Sequence, residues 1–162
     1  MISRVNIREE RYLSLKRIGI AWLSGLAFTC ATLSVHAENS RDFGDYVVHF
    51  NSLATDMLTP DVAREYHITR SQNNGMVNIT VLKKVLGSPG QPVHAQVEAT
   101  ATNLNGQSRK IHMREVREGN AIYYIGEFGV ANEESVKFDV RVHPQGTQEY
   151  FKIDFSQDFY SH

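Results

Sequence analysis

Apolar and polar residues alternate along most of this chain, and this alternation constrains the fold more than any other feature. A period of two places neighbouring side chains on opposite faces of a β-strand. The clearest segment is 135–142, where Val136, Phe138, Val140 and Val142 share one face. The alternating segments are residues 46–53, 76–85, 93–101, 108–116, 121–130, 135–142 and 149–159.

Short turn sequences separate these segments, and each contains Gly, Pro or Asn residues that favour a turn. They are NNG (73–75), GSPGQP (87–92), NLNGQ (103–107), EGN (118–120) and HPQGTQ (143–148). Asn105-Gly106 is the strongest signal for a two-residue hairpin. Short antiparallel strands joined by hairpins predict a β-sandwich or a small barrel, and one apolar face per strand favours two packed sheets. The polar 108–116 segment is predicted to lie at a sheet edge.

The stretch LTPDVAREYHITRS, residues 58–71, interrupts the strands with a helical pattern. Thr59 is placed to cap the helix, and Pro60 suits the first helical position because its missing N–H costs nothing there. Val62 and Tyr66 fall on one face of the helix. A helix of about two turns is not stable alone. We therefore expect it to pack on the protein and to close one end of the sandwich core.

The first 37 residues are predicted to be a signal peptide rather than part of the fold. Lys16 and Arg17 precede an uncharged apolar run from Ile18 to Leu33, and SVHA then ends at Ala37. This order of a basic region, an apolar region and small residues is typical of a secretory signal cleaved after Ala37. The run is shorter than the roughly 20 residues of a membrane span, so no membrane span is expected after cleavage. The protein is predicted to be periplasmic.

The exported chain, residues 38–162, is expected to form a single domain without disulfides. The one cysteine, Cys30, lies in the signal region, so disulfides and cysteine chemistry are excluded. Five of the 17 basic and two of the 18 acidic residues precede residue 38, which leaves 12 and 16 and a net charge of −4. Nucleic-acid binding needs a basic surface, so a nucleic-acid partner is not expected.

Residues 51–84 contain a long pattern, NSL…DMLTPDVAREYHITRS…NGMVNITVLKK, which resembles the signature of an uncharacterised family of small secreted domains of gamma-proteobacteria. The ending KIDFSQDFY is similar to the last strand of that family. The resemblance spans nearly all of residues 38–162. It implies a periplasmic protein of the immunoglobulin-like β-sandwich type. The residue pattern itself predicts an all-β, antiparallel sandwich of about seven strands with one short helix between the first two. The resemblance implies no catalytic residue.

Metal and hydrolase motifs are missing from the sequence. The six histidines after residue 37 show no H-x-H, H-x-x-x-H or H-E-x-x-H spacing, so solvated histidines are favoured over metal ligands. There is no G-x-S-x-G or S-x-x-K motif. The sequence therefore predicts no cofactor, no metal site and no catalytic residue.

The remaining candidate binding residues are Asn51, Ser52, Tyr66, His67 and Arg70. Arg70 could bind a carboxylate or phosphate through two hydrogen bonds, although a structural bond to a carbonyl or an acidic neighbour is the simpler interpretation. The favoured function is a non-enzymatic periplasmic binding or accessory module, whose partner is an unknown periplasmic protein or a small ligand. Strand addition at the edges formed by residues 108–116 and 149–159 is one mode. The alternative is a small hydrolase or isomerase with a site near Tyr66, His67 and Arg70.

Overall fold

A computed structural model describes residues 39–160 and shows ten strands, one short α-helix and one 3-10 turn in that range. The helix α1 spans Pro60–Glu65, and the 3-10 turn spans Thr55–Met57. The strands are β1 (Ser40–Phe43), β2 (Tyr46–Ala54), β3 (Asn74–Lys83), β4 (Gln91–Pro92), β5 (Ala95–Asn103), β6 (Ser108–Ile111), β7 (Met113–Glu118), β8 (Ala121–Gly129), β9 (Glu134–Pro144) and β10 (Phe151–Phe159).

The strands form two antiparallel sheets, which confirms the predicted β-sandwich. The larger sheet has the order β1-β2-β3-β8-β7, with β4 paired to β3. The smaller sheet has the order β10-β9-β5-β6. The structure has three strands more than the predicted seven. The short strands β1 and β4 were not predicted, and the 108–116 segment divides into two strands. The single helix lies between β2 and β3, the first two strands that the sequence predicts.

The core lies between the inward faces of the two sheets, as the alternation predicts. The four alternate residues predicted inward on β9 are fully buried. Phe138 is the largest of them, and its ring stacks on Phe155 at a centroid distance of 4.7 Å and meets Phe128 edge-on at 5.3 Å. The buried residues of this core are Val48, Phe50, Ala54, Val77, Ile79, Val81, Ala99, Ala101, Ile111, Ile122, Tyr124, Phe128, Val130, Val136, Phe138, Val140, Val142, Phe151, Ile153 and Phe159.

The predicted strand 108–116 is two strands that belong to different sheets. The chain leaves β6 of the smaller sheet and enters β7 of the larger sheet at His112. Gly126 of β8 makes this corner possible, because a Cβ there would lie 2.4 Å from Ile111 Cγ2 and 2.6 Å from Met113 Sδ. Both pieces lie at sheet edges, as does β10. The predicted edge positions of residues 108–116 and 149–159 are therefore confirmed.

The hairpin between β5 and β6 has a longer loop than the Asn105-Gly106 signal predicts. The Asn103 N–H donates to Gln107 O at 3.1 Å, and the Gly106 N–H donates to Asn103 O at 2.9 Å. Gly106 has a φ of 76°. The loop is therefore a three-residue turn that ends in a left-handed glycine, a common hairpin form.

The helix begins at the predicted residue, but it does not lie at the predicted end of the sandwich. Thr59 Oγ1 accepts from the Val62 N–H, and Pro60 is the first helical residue. The segment packs on Leu53, Met76 and Ile125, which form an apolar cluster separate from the sandwich core. These side chains point away from that core, because they alternate with the inward residues of their strands. The expectation that the helix closes one end of the sandwich is wrong: it covers the outer face of the larger sheet.

The predicted signal peptide, residues 1–37, lies outside the described residues. Within residues 39–160, no helix is both long enough and apolar enough to cross a membrane.

Candidate functional site

A pocket of about 270 Å³ lies between the α1 segment and the outer face of the larger sheet. Strands β2, β3 and β8 form its floor, and residues 58–68 form its roof. The lining is mostly apolar, with two asparagines and two tyrosines. The lining residues are Asn51, Leu53, Leu58, Val62, Tyr66, Ile68, Met76, Asn78, Tyr123 and Ile125.

The floor is apolar because three strands carry large side chains on the face that the alternation leaves for solvent. Leu53 of β2 is the register partner of Met76 of β3, and Ile125 of β8 is the partner of Asn78 of β3. Met76 and Ile125 are buried beneath the roof, together with Ile68 from the roof itself. The hydrophobic effect therefore favours covering this face, and the 55–73 connection provides the cover.

Hydrogen bonds at both ends fix the roof to the sheet. Thr55 is fully buried, and its Oγ1 accepts from the Ser71 N–H at 2.9 Å and lies 2.9 Å from Thr69 O. At the other end, Arg114 of β7 donates to the carbonyl of Tyr66 at 2.5 Å. Backbone groups that leave helix and sheet need such partners when they are buried. The roof is therefore held in one position while the space beneath it stays open.

Two tyrosines line the aromatic side of the pocket. The ring of Tyr66 meets the ring of Tyr123 edge-on at a centroid distance of 6.5 Å. The Tyr66 hydroxyl donates to the carboxylate of Glu118 on β7. This hydrogen bond to Glu118 is the main cause that raises the pKa of Tyr66 to about 12. The hydroxyl therefore stays protonated at neutral pH and acts as an anchor of the roof.

Two asparagines face each other across β2 and β3 on the pocket floor. Asn51 and Asn78 are register partners, so their side chains lie on the same face of the sheet. The Oδ1 atom of Asn78 is buried and has no hydrogen-bond partner among residues 39–160. A buried acceptor without a partner is rare in native proteins. This oxygen is therefore closed off from the open space of the pocket, although Asn78 itself contributes to the lining.

The structure distributes the five candidate residues over four places. Asn51 and Tyr66 line the pocket together. Ser52 points inward, where its hydroxyl donates to Met76 O at 2.7 Å. Arg70 donates to Asp56 O at 2.7 Å, as its structural interpretation implies. His67 is exposed at the end of α1 with a φ of 52°, a left-handed conformation that commonly ends a helix.

A second groove of about 390 Å³ adjoins the first on the side of β2 and β10. Asn51 and Ser52 line it with Met57, whose side chain is exposed, and with the end of β10. The Ser52 hydroxyl is already used by Met76 O. This groove lacks a buried polar atom without a partner among the described residues, and it is the weaker candidate.

The candidate set from the sequence missed several pocket residues, above all Met76, Asn78, Tyr123 and Ile125. A signal for them was present. Leu53, Met76 and Ile125 are large apolar residues at positions that the alternation assigns to the outer face. Apolar residues on both faces of a strand indicate that both faces are covered. Which segment covers the outer face follows only from the tertiary structure.

Ionisable residues gather at the rim where the two sheets meet rather than in the pocket. Glu115 of β7 bonds to His94 at 3.0 Å, to Arg117 at 2.7 Å and to the Tyr124 hydroxyl at 3.1 Å. The hydrogen bond from His94 is the main cause that lowers the pKa of Glu115 to about 2. Burial raises the pKa of Tyr124 to about 12. Among residues 39–160, no group of three or more His, Asp or Glu side chains is arranged to hold a metal ion.

Comparison with known proteins gives one family and a recurring fold. The sequence profile of a domain of unknown function, DUF4426, matches residues 40–162. The crystal structure of a DUF4426 family protein from Pseudomonas aeruginosa PAO1 is similar, with a TM-score of 0.66 and 29% identity, and the match covers 77% of this chain and 96% of that chain. The predicted resemblance to an uncharacterised domain family is thereby confirmed. No match was found among curated proteins.

More distant structures share the fold alone. FetP of uropathogenic E. coli strain F11, expressed in the periplasm of E. coli, has a TM-score of 0.54 and 7% identity, covering 77% of this chain and 95% of that chain. A copper-bound variant of FetP has a TM-score of 0.54 and 9% identity, covering 78% of this chain and 97% of that chain. At such low identity the similarity concerns the arrangement of strands and carries no residue over.

Proposed function

The chain belongs to the DUF4426 domain family, and we propose that it is a non-enzymatic binding module of the periplasm. The ligand we assign to it is a small, largely apolar molecule held in the pocket beneath α1. The observation that supports this proposal is a pocket of about 270 Å³ under a roof that hydrogen bonds hold in place. Ligand sites are typically concave, mostly apolar and formed in advance, with a few polar groups.

The alternative, a hydrolase or isomerase near Tyr66, His67 and Arg70, finds less support in the geometry. The Tyr66 hydroxyl is bonded to Glu118, and its raised pKa disfavours proton transfer at neutral pH. The Arg70 guanidinium donates to a backbone carbonyl. His67 and Arg70 do not line the pocket that Tyr66 lines. The three side chains therefore do not converge on one place where a substrate could react.

A protein partner that adds a strand is the second candidate, because β6, β7 and β10 lie at sheet edges. One side chain already covers part of the β10 edge: Arg41 of β1 donates to Asp154 O at 3.4 Å. Such capping of an edge strand disfavours pairing with another chain. The small ligand is therefore the partner we prefer.

Export to the periplasm is part of the proposal and rests on the signal-like pattern of residues 1–37 together with the periplasmic expression of FetP. Intact-mass measurement of the exported protein should give a chain that starts at Glu38. A retained N-terminus, or a lipid on Cys30, would contradict it.

Copper belongs to the FetP variant, and we assign no metal to this chain. A ligand bound only to the native state raises the melting temperature. We expect the same melting temperature for residues 38–162 in chelator and in added copper or zinc. A clear rise with one metal would overturn this part of the proposal.

A titration with the neutral fluorescent dye N-phenyl-1-naphthylamine tests the pocket directly. The expected result is saturable binding to residues 38–162 with enhanced emission. Val62→Trp places a large side chain in the roof and should weaken binding at least about tenfold, since it fills the space that the dye needs. Val85→Trp is the matched control, because Val85 is 44% exposed in the loop after β3 and does not line the pocket.

Both variants must keep the circular dichroism spectrum of the parent protein. Equal weakening by both substitutions, or no saturable binding to the parent, would show that the dye does not enter this pocket. The proposed function would then be wrong.

A further inference from the structure

Strand β1 is too short to cover the whole edge of β2. It pairs with β2 only along residues 46–49, and one further bond joins the Phe50 N–H to Asn39 O at 2.8 Å. On its other edge, β2 pairs with β3 as far as Ala54. Among residues 39–160, no strand pairs with residues 51–54 of β2 on the side of β1. We call this stretch the free edge of β2.

We propose that the free edge of β2 binds an extended segment of a partner protein, which pairs antiparallel with residues 51–54 and continues the line of β1. The segment carries apolar side chains at two alternate positions and lies in the groove between β2 and the end of β10. This inference goes beyond the proposed function, because it concerns a protein partner and a surface other than the pocket. Strand addition gives affinity through the main chain and specificity through alternate side chains.

The backbone of the free edge points to the groove. In an antiparallel sheet, the hydrogen-bonding groups of successive residues point to opposite neighbours. The Phe50 N–H points to the β1 side, so the N–H groups of Ser52 and Ala54 point to that side as well. Both residues line the groove of about 390 Å³, and neither N–H has a backbone partner on that side among residues 39–160. An added strand provides such partners, as Asn39 does for Phe50.

The groove has apolar walls that suit the side chains of an added strand. The end of β10 forms the wall opposite β2. The rings of Phe50 and Phe155 pack at a centroid distance of 4.7 Å, and Phe159 and Tyr160 line the groove beyond them. Met57 is 71% exposed and Tyr160 is 60% exposed, and both line the groove. Large apolar side chains exposed together are typical of a surface that a partner covers.

Small side chains on β2 determine which residues the segment needs. Ser52 and Ala54 are buried and alternate with the partly buried Leu53, so they point inward between the sheets. Cross-strand partners lie on the same face of a sheet, so the residues opposite Ser52 and Ala54 also point inward. There they meet two small side chains on one wall and Phe159 on the other. Valine or isoleucine at both positions favours the extended conformation and buries apolar surface.

The exported chain is too short to cover the free edge with its own N-terminus. Counting back from the Ser40–His49 pair, position 38 corresponds to Asn51 and position 35 corresponds to Ala54. The exported chain is proposed to begin at Glu38, so it lacks the three residues that would reach Ala54 in this register. The added strand must therefore come from another molecule.

A designed N-terminal extension of residues 38–162 tests the register. Val-Thr-Val placed before Glu38 puts its valines opposite Ser52 and Ala54, and the direct connection makes the pairing intramolecular. We expect this variant to melt about 3 °C or more above the parent protein. The matched control, Thr-Val-Thr, directs its valine to the outer face, because a shift of one residue reverses the faces of a strand. It should melt within about 1 °C of the parent.

A peptide in solution tests binding by a separate partner. The probe is a fluorescein-labelled peptide, Lys-Thr-Val-Thr-Val-Thr-Lys, followed by fluorescence anisotropy. It should bind the parent saturably, and it should bind the Val-Thr-Val variant at least about tenfold more weakly, because the extension occupies the same edge. The same peptide with proline in place of both valines lacks N–H donors for pairing and should bind the parent at least about tenfold more weakly.

Equal melting temperatures for the two extension variants, or no saturable binding of the valine peptide to the parent, would overturn the inference. A parent that is dimeric by analytical ultracentrifugation, and monomeric with the Val-Thr-Val extension, would show that a second copy occupies the edge and would overturn the assignment to a different partner. Dye binding is a separate measurement. Its failure would overturn the proposed function and leave this inference in place, and failure of the peptide alone would do the reverse.

Discussion

The sandwich core and the outer pocket are both apolar, but the core is closely packed and the pocket is not. In the core, Val136, Phe138, Val140 and Val142 are fully buried, and four phenylalanine rings pack on one another. In the pocket, Tyr66 and Leu53 are only partly buried, and about 270 Å³ stays open beneath the roof. Both regions are fixed by hydrogen bonds or by neighbouring strands, so looseness of the backbone does not account for the difference.

This difference indicates separate roles for the two faces of the larger sheet. Protein interiors are normally close-packed, and empty space lined by side chains loses their mutual attraction. The core follows this rule and provides stability. The pocket departs from it at a place that also holds an unpaired acceptor, Asn78 Oδ1. Departures of this kind are expected at functional sites.

The largest effect should come from truncation of the core. Phe138→Ala is expected to lower the free energy of unfolding by about 3–5 kcal/mol, since it removes a fully buried ring and leaves a cavity. Denaturant unfolding followed by circular dichroism measures this loss. Phe138→Leu should lose clearly less. A loss below about 1 kcal/mol for Phe138→Ala would mean that the core is no better packed than a surface site.

Truncation on the roof of the pocket should cost less. Tyr66→Ala removes a half-buried ring, so we expect a loss of about 1–2 kcal/mol, below the value for full burial of an aromatic side chain. Tyr66→Phe keeps the ring, removes the hydrogen bond to Glu118 and should retain dye binding. If Tyr66→Ala were as destabilising as Phe138→Ala, the two regions would form one core and the comparison would fail.

The rim of the core should respond to acid. The pKa of Glu115 is lowered from 4.5 to about 2, mainly by its hydrogen bond with His94. Its contribution to stability is therefore present above pH 4.5 and is lost as the pH falls toward 2. Glu115→Gln should be less stable than the parent at pH 7, with a difference that shrinks between pH 4.5 and 2. A stability difference between Glu115→Gln and the parent that stays constant from pH 4.5 to pH 2 would contradict this assignment.

The smallest effect is expected at the exposed end of the roof. Arg70→Ala removes the hydrogen bond to Asp56 O, and a single exposed bond of this kind contributes about 1 kcal/mol or less. Dye binding should stay unchanged, since Arg70 does not line the pocket. Lost ligand binding with unchanged stability would make Arg70 a recognition residue, as one interpretation of the sequence proposed.

The sequence by itself determined the sandwich, because burial on one face of a strand requires apolar residues at every second position. The inward faces of β3, β8, β9 and β10 follow directly from that period. The N-terminus of α1 follows from Thr59 and Pro60 for the same reason: capping depends on neighbours a few residues apart.

Only the tertiary structure decided where the helix lies and what it covers. Leu53, Met76 and Ile125 are far apart in the chain, and they become one surface only when β2, β3 and β8 pair in register. The turn at His112 likewise depends on Gly126 of another strand. The pocket arises from such distant pairings, so no local pattern could reveal that Asn78 lies on its floor.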